Sequence, residues 1–289
     1  MIVGFLGKGG SGKSTISAAF CEFLLSRRHR VLAIDADHNM DLLFNLKVAE
    51  MPNWLGASME DLLALGGLAK SRGDYRSLFD VQPALEFRLA PMDAFTAKYS
   101  RPARANLWVM AGGPHTDQIL FDRACSHVLT TPLKVVLPHF RLDPGSEFIV
   151  VDEKAGSDGA GTGVAAGLDV GVVVLEPNHH GVKAACQISK LLEFFGTPHC
   201  FLVNKVTRGD RLAWVEQMLP AKPLLSLGFE ESVGWGPGED DEVSLPPRWD
   251  FSPLLSFARR LELKGEAGER PRYRRALERM TRNQEYARR

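Results

Sequence analysis

The sequence predicts an α/β fold: a mostly parallel β-sheet with helices on both faces. Three observations predict it. Short, nearly continuous apolar runs recur along the chain, stretches of helical spacing separate them, and a glycine-rich loop joins the first apolar run to the first helix. Strands buried on both faces read as unbroken apolar runs, and parallel neighbours need a crossover helix between them.

Taken in order, Ile2–Leu6 and Val31–Asp35 are β-rich runs, and Gly12–Arg28 between them has helical spacing. Leu107–Met110, Phe148–Asp152, Val170–Leu175 and Cys200–Asn204 are the further strands. Helices are expected at Thr116–Leu129, His180–Phe195 and Asp210–Met218. The stretch from about Val48 to Ala105 breaks this rhythm. With Pro52, Gly56, Gly66, Gly67, Gly73, Pro83, Pro91 and Pro102, it reads as an insertion of short helices and loops. Residues 1–257 are therefore expected to form one domain carrying an insertion at about 48–105, and 258–289 a basic C-terminal extension.

Composition narrows the class. The 289 residues are 45% hydrophobic and 24% charged, the balance of a globular chain that buries a core without staples. Thirty-five Lys+Arg against thirty-five Asp+Glu give no global field directed at nucleic acid. No apolar stretch is long enough to span a bilayer, and the glycine loop follows Leu6 too closely for a signal peptide. Cys21, Cys125, Cys186 and Cys200 are scattered without metal-site spacing, so reduced thiols in a cytoplasm are expected. From Ala258 to Arg289, eleven Lys/Arg face five Asp/Glu.

Gly7-Lys8-Gly9-Gly10-Ser11-Gly12-Lys13-Ser14-Thr15 fits the phosphate-loop pattern G-x-x-x-x-G-K-[ST], between a strand ending at Leu6 and a helix opening at Lys13. Glycines let successive backbone N–H groups turn onto a polyphosphate, and the helix N-terminus adds positive potential. Gly9, Gly10, Ser11, Gly12, Lys13, Ser14 and Thr15 are the candidate nucleotide contacts. Lys13 would bridge the terminal phosphates and the Ser14 hydroxyl would ligate Mg²⁺.

With the additional Lys8, the loop resembles the deviant Walker A motif of the MinD/ParA/nitrogenase-iron-protein/arsenite-pump ATPases. The resemblance implies a P-loop ATPase using ATP and Mg²⁺, in which Lys8 reaches across a dimer to the neighbour's nucleotide. Asp35-Ala36-Asp37-His38-Asn39-Met40-Asp41 looks like the first switch. By that resemblance Asp37 orients the attacking water, while Asp35 and Asp41 act around Mg²⁺ and its waters. His38 departs from the proline common there. Val150-Val151-Asp152-Glu153-Lys154-Ala155-Gly156 resembles the Walker B strand and second switch, with Asp152 holding a water of Mg²⁺ and the Gly156 amide sensing the γ-phosphate. Asn204-Lys205 resembles the pair whose asparagine contacts the adenine edge.

Within this class, Ala33–Asp37, Val150–Gly156, Gly167–Pro177 and Val203–Lys205 together resemble the carbon monoxide dehydrogenase nickel-insertion ATPases. Two departures matter. Those proteins carry a Cys-x-Cys pair where this chain has Ala111-Gly112-Gly113-Pro114-His115-Thr116-Asp117-Gln118, and Glu153-Lys154 puts a positive charge in the second switch. His115-x-Asp117 has ligand-like spacing, but Thr116 and Asp117 better suit a cap for the following helix. The expectation is a Mg-ATP-dependent homodimer that serves an unidentified client protein as an accessory or maturation factor. The rival is a positioning or partitioning ATPase that binds DNA through its basic tail. A small-molecule kinase on the same loop is a third option, disfavoured by Lys8. The Arg270–Arg289 tail, containing no motif residue, reads as a solvated helix docking lightly on the core.

Overall fold

The computed structural model describes residues 1–68, 75–80, 85–114, 129–161, 163–209, 212–230 and 249–287. Its strands are β1 Ile2–Gly7, β2 Arg30–Asp35, β3 Phe87–Arg88, β4 Arg101–Arg104, β5 Leu107–Ala111, β6 Phe140–Arg141, β7 Glu147–Asp152, β8 Val170–Leu175, β9 His199–Val206 and β10 Leu225–Gly228. Its helices are α1 Lys13–Ser26, α2 Asp41–Asn45, α3 Met59–Leu65, α4 Ala94–Tyr99, α5 Leu133–Val136, α6 Gly156–Gly161, α7 His179–Phe195, α8 Leu212–Met218, α9 Ser252–Leu263 and α10 Glu269–Ala287.

Among the described residues, eight strands form one sheet in the order β10-β9-β8-β1-β7-β2-β5-β4. All neighbours are parallel except β4, which runs antiparallel to β5 at the edge. Successive side chains of a strand point to opposite faces, and the core divides accordingly. Ile2, Leu6, Leu32, Ile34, Ile149 and Val151 belong to one buried cluster, and Val3, Phe5, Val31, Ala33, Phe148 and Val150 to the other. Both faces are thus buried, which explains the unbroken apolar runs.

The expected strands and the helices beginning near residues 12, 180 and 210 are present, with ends shifted by a few residues. The expected Thr116–Leu129 helix lies outside the described residues except at Leu129, as do His115, Thr116, Asp117 and Cys125. The 48–105 stretch holds short helices and loops, but its last residues, Arg101–Arg104, add the antiparallel edge strand β4. Pro102 sits in that strand, where an edge tolerates its missing N–H.

The C-terminal segment is anchored in the core rather than solvated along its length. Helix α9 runs through position 257/258, and α10 drives arginines inward. Arg272 is 2% exposed and donates through Nη1 to both oxygens of Asp169, at 2.9 and 2.7 Å. Its other nitrogens reach the carbonyls of Leu137 and Phe140. Burial alone would raise the Asp169 carboxyl. The Arg272 guanidinium and the N-terminal ammonium, with N–H bonds from Gly268 and Ile2, hold it below its ordinary value. One turn on, buried Arg275 donates to the carbonyls of Ala166 and Leu168. The Arg279 guanidinium lies where a Cβ on Gly163 would stand. Residues three, four and seven apart share a helix face, so these three arginines clamp the segment between α6 and β8.

Candidate functional site

Four strand ends meet at one edge of the sheet: Gly7 of β1, Asp35 of β2, Asp152 of β7 and Val206 of β9. Ligands of open α/β sheets bind at the carboxyl ends of the strands, where loops diverge. The phosphate loop arises here because Gly10 and Gly12 take φ of +79° and +90°, a region open to glycine without penalty. A Cβ on Gly7 would stand 2.3 Å from the Val174 carbonyl oxygen, whereas nothing lies within 4 Å of one on Gly10. The loop is therefore tight at its root and open at its tip.

Helix α1 begins without a side-chain cap and without an acidic residue in its first turn. Its N-terminal amide groups and positive end of the dipole are left for an external anion. Lys13 is buried at 7% exposure. Ser14 hydrogen-bonds Asp152, and Ser17 Oγ donates to Asp152 Oδ1 at 3.3 Å. Lys8, Gly9 and Gly10 are exposed at the mouth.

The carboxylates crowd behind the loop. Asp35 and Asp152 are register partners across β2 and β7. Burial, reinforced by the Asp152 charge, raises the Asp35 carboxyl well above its ordinary range, against backbone N–H bonds from Asp37, Leu42 and Leu43. Those bonds, at 3.1, 2.9 and 3.4 Å, tie the Asp35–Asp41 loop and the start of α2 to one carboxylate. Burial pushes Asp152 up to about 6, with Ser14 and Lys13 opposing and the Asp37 charge adding. Glu153, 1% exposed, is pushed up to about 8 by burial and then by Asp152, with Lys13 opposing. Asp37 accepts from the Asn39 N–H and faces His38 Nδ1 at 3.0 Å. Asp41 is exposed and opens α2.

The sequence-predicted residues thus divide by position. Ser14, Lys13, Asp35, Asp37 and Asp152 converge. Gly156, with φ +86°, starts α6 just beyond Glu153. Asn204 donates through Nδ2 to the Ser11 carbonyl at 2.9 Å. Lys8 and Asp41 stand apart from the buried cluster. A small cleft beside Gly12 and Thr15 is lined by Asn204, Lys205, Gly228, Phe229, Glu230 and Trp249. Glu176 and Lys205 occupy named positions of the resembled patterns, Gly167–Pro177 and Val203–Lys205, but the sequence assigned neither side chain a link to the loop, which the structure shows.

A nucleotide polyphosphate with Mg²⁺ fits this donor set. Ser11 Oγ, Asp152 Oδ2 and Glu153 Oε1 are buried without a hydrogen-bond partner in the structure. Buried polar atoms are almost always satisfied, so orphans together at one edge mark a place built for a ligand. Crowded carboxylates call for a cation, and an uncapped helix start beside a buried lysine calls for an anion.

Comparison with known proteins agrees with the geometry. Residues 2–222 match the CobQ/CobB/MinD/ParA nucleotide binding domain family. The carbon monoxide dehydrogenase accessory protein CooC of Rhodospirillum rubrum is 28% identical over 240 residues, covering 81% of this chain and 85% of that protein. An uncharacterised ATP-binding protein of Methanocaldococcus jannaschii is 27% identical over 210 residues, covering 71% and 79%. In fold, the chain is similar to the septum site-determining protein MinD of Pyrococcus horikoshii, solved with Mg-ADP (TM-score 0.56, 16% identity, 95% and 93% covered). It is likewise similar to a ParA family ATPase of Chlorobium tepidum (TM-score 0.53, 19% identity, 96% and 97% covered). The chain belongs to the CobQ/CobB/MinD/ParA nucleotide-binding family and is a P-loop ATPase.

Proposed function

We propose that the protein binds Mg-ATP in the phosphate loop, dimerises face to face around two nucleotides, and uses hydrolysis to drive a conformational switch in the service of a client protein. The observation that carries this reading is the contrast between two lysines of one loop. Lys13 is buried beside Asp152, whereas Lys8 is exposed at the mouth. A lysine facing outward from a phosphate site suits a second subunit's nucleotide better than its own.

In this reading Gly9 to Thr15 cradle the phosphates, with Lys13 neutralising the terminal groups. Ser14, and Asp152 through water, would hold Mg²⁺, which would supply charge neutralisation. Asp37 orients the attacking water, and Lys8 of the other subunit stabilises the charge that develops. Asp35, whose oxygens hold the backbone of the first switch, and Asp41 act around the metal's waters. Gly156 reports the γ-phosphate to α6. The base lies in the cleft beside Gly12, within reach of Asn204.

The likeness to CooC favours an accessory role toward another protein, without the cysteine pair of the nickel-insertion proteins. The DNA-binding rival draws on the basic tail, yet Arg272 and Arg275 are turned into the core, which weakens that reading. Size-exclusion chromatography of Asp37→Ala tests the proposal. It is expected to shift to a dimer with Mg-ATP and to remain a monomer without nucleotide. An unshifted profile at saturating Mg-ATP contradicts it.

A further inference from the structure

The two residues near the end of β9 hold the phosphate loop from behind. Asn204 Nδ2 donates to the Ser11 carbonyl, and Lys205 Nζ donates to the Gly10 carbonyl at 2.6 Å. The same Nζ donates to Glu176 Oε1 at 2.7 Å, one residue past β8. Glu176 Oε2 in turn accepts from Asn178 Nδ2 at 3.1 Å, and Asn178 caps α7 by accepting from the Gly181 N–H at 2.8 Å. A line of contacts therefore runs from the start of α7 through Glu176 and Lys205 to the tip of the phosphate loop. Lys205 takes φ +58°, a left-handed conformation uncommon for a residue with a Cβ and concentrated at functional positions.

The chemistry of an anion cradle gives this line a purpose. Backbone N–H groups must face the phosphates, so the carbonyls of the same loop must face away and find donors elsewhere. Nothing lies within 4 Å of a Cβ on Gly10, whose φ is +79°, so packing does little to hold the Gly10–Ser11 peptide; on its N–H side it is held by one bond to the Lys8 carbonyl at 3.2 Å. A carbonyl turned inward would set its negative end against phosphate oxygens. A charge-assisted bond to an ammonium that is itself pinned by a carboxylate prevents this rotation.

We infer that Lys205, held by Glu176, is a positioning residue of the phosphate loop that keeps the Gly10 carbonyl turned away from bound polyphosphate. The inference rests on the nucleotide reading above. It assigns Glu176 no contact with the nucleotide, and it assigns Lys205 a role through its bond to the Gly10 carbonyl.

Isothermal titration of Mg-ADP into the full-length wild type and into Lys205→Met, Lys205→Arg, Glu176→Gln and Lys13→Ala tests it. Lys205→Met is expected to weaken binding about tenfold, the scale of one lost charge-assisted hydrogen bond. Lys205→Arg should recover most of the loss. Glu176→Gln should weaken binding by about threefold, and the Glu176→Gln/Lys205→Met pair should be no weaker than Lys205→Met alone. Melting temperatures without nucleotide should stay within about 2 °C of wild type, while the rise caused by Mg-ADP shrinks. A Glu176→Gln protein that binds more tightly overturns the inference, because removing a nearby negative charge then helps the anion directly. Unchanged affinity in Lys205→Met, with wild type binding and Lys13→Ala not, overturns the inference alone. No saturable binding by wild type overturns the nucleotide reading and the inference with it.

Discussion

Arg272→Met removes the guanidinium that meets both Asp169 oxygens at 2.9 and 2.7 Å, at positions 2% and 1% exposed. Removing one partner of a buried pair typically costs about 3–5 kcal/mol, because the other charge is left uncompensated. Here Asp169 keeps N–H bonds from Ile2 and Gly268 at 2.8 and 2.7 Å. The expected loss is therefore at the lower end, about 3 kcal/mol, which in a chain of this size lowers the melting temperature on the order of 10 °C. Urea unfolding of Arg272→Met and Arg274→Met is the assay. Arg274 is 74% exposed and only 3.9 Å from Glu278, a surface pair worth about 0–1 kcal/mol. Adding Asp169→Asn to Arg272→Met should recover part of the loss, since the orphaned charge is then gone. If Arg272→Met and Arg274→Met unfold at the same urea concentration, α10 does not anchor the core through this pair.

Two further outcomes follow from the site. Lys13→Ala should abolish Mg-ATP binding in equilibrium dialysis, because the uncapped helix start alone offers no full charge to the terminal phosphates. Glu153, with a native pKa pushed up from 4.5 to about 8, keeps its proton in the folded chain while the unfolded chain has released it. Stability should therefore fall as pH rises from about 4.5 through about 8, with the penalty fully present above that window and absent below it. Urea midpoints of nucleotide-free wild type and Glu153→Gln should diverge in favour of the variant across this range, and parallel curves contradict the assignment.

Much of the fold was legible because strands buried on both faces announce themselves as apolar runs, as Phe148–Asp152 and Val170–Leu175 do. The phosphate loop was legible because its glycines, Lys13 and Ser14 are adjacent in sequence and each is required by the chemistry. Three features were not. Arg101–Arg104 joins the sheet with two arginines and a proline, since an edge strand needs no apolar face. Arg272 and Arg275 read as surface charge, because their partners Asp169 and the carbonyls of Ala166 and Leu168 lie about a hundred residues away. The link from Glu176 through Lys205 to Gly10 depends on three segments meeting at one sheet edge, and sequence spacing carries no record of it.

Subunit mixing shows whether one subunit's Lys8 completes the other subunit's site. Lys8→Ala retains Asp37 but delivers no lysine; Asp37→Ala delivers Lys8 but cannot orient the water. Each alone should hydrolyse Mg-ATP poorly. Mixed in equal amounts, half the dimers carry both variants and one of their two sites is intact, so hydrolysis should recover to about a quarter of the wild-type rate. A mixture no more active than its components would contradict this role of Lys8.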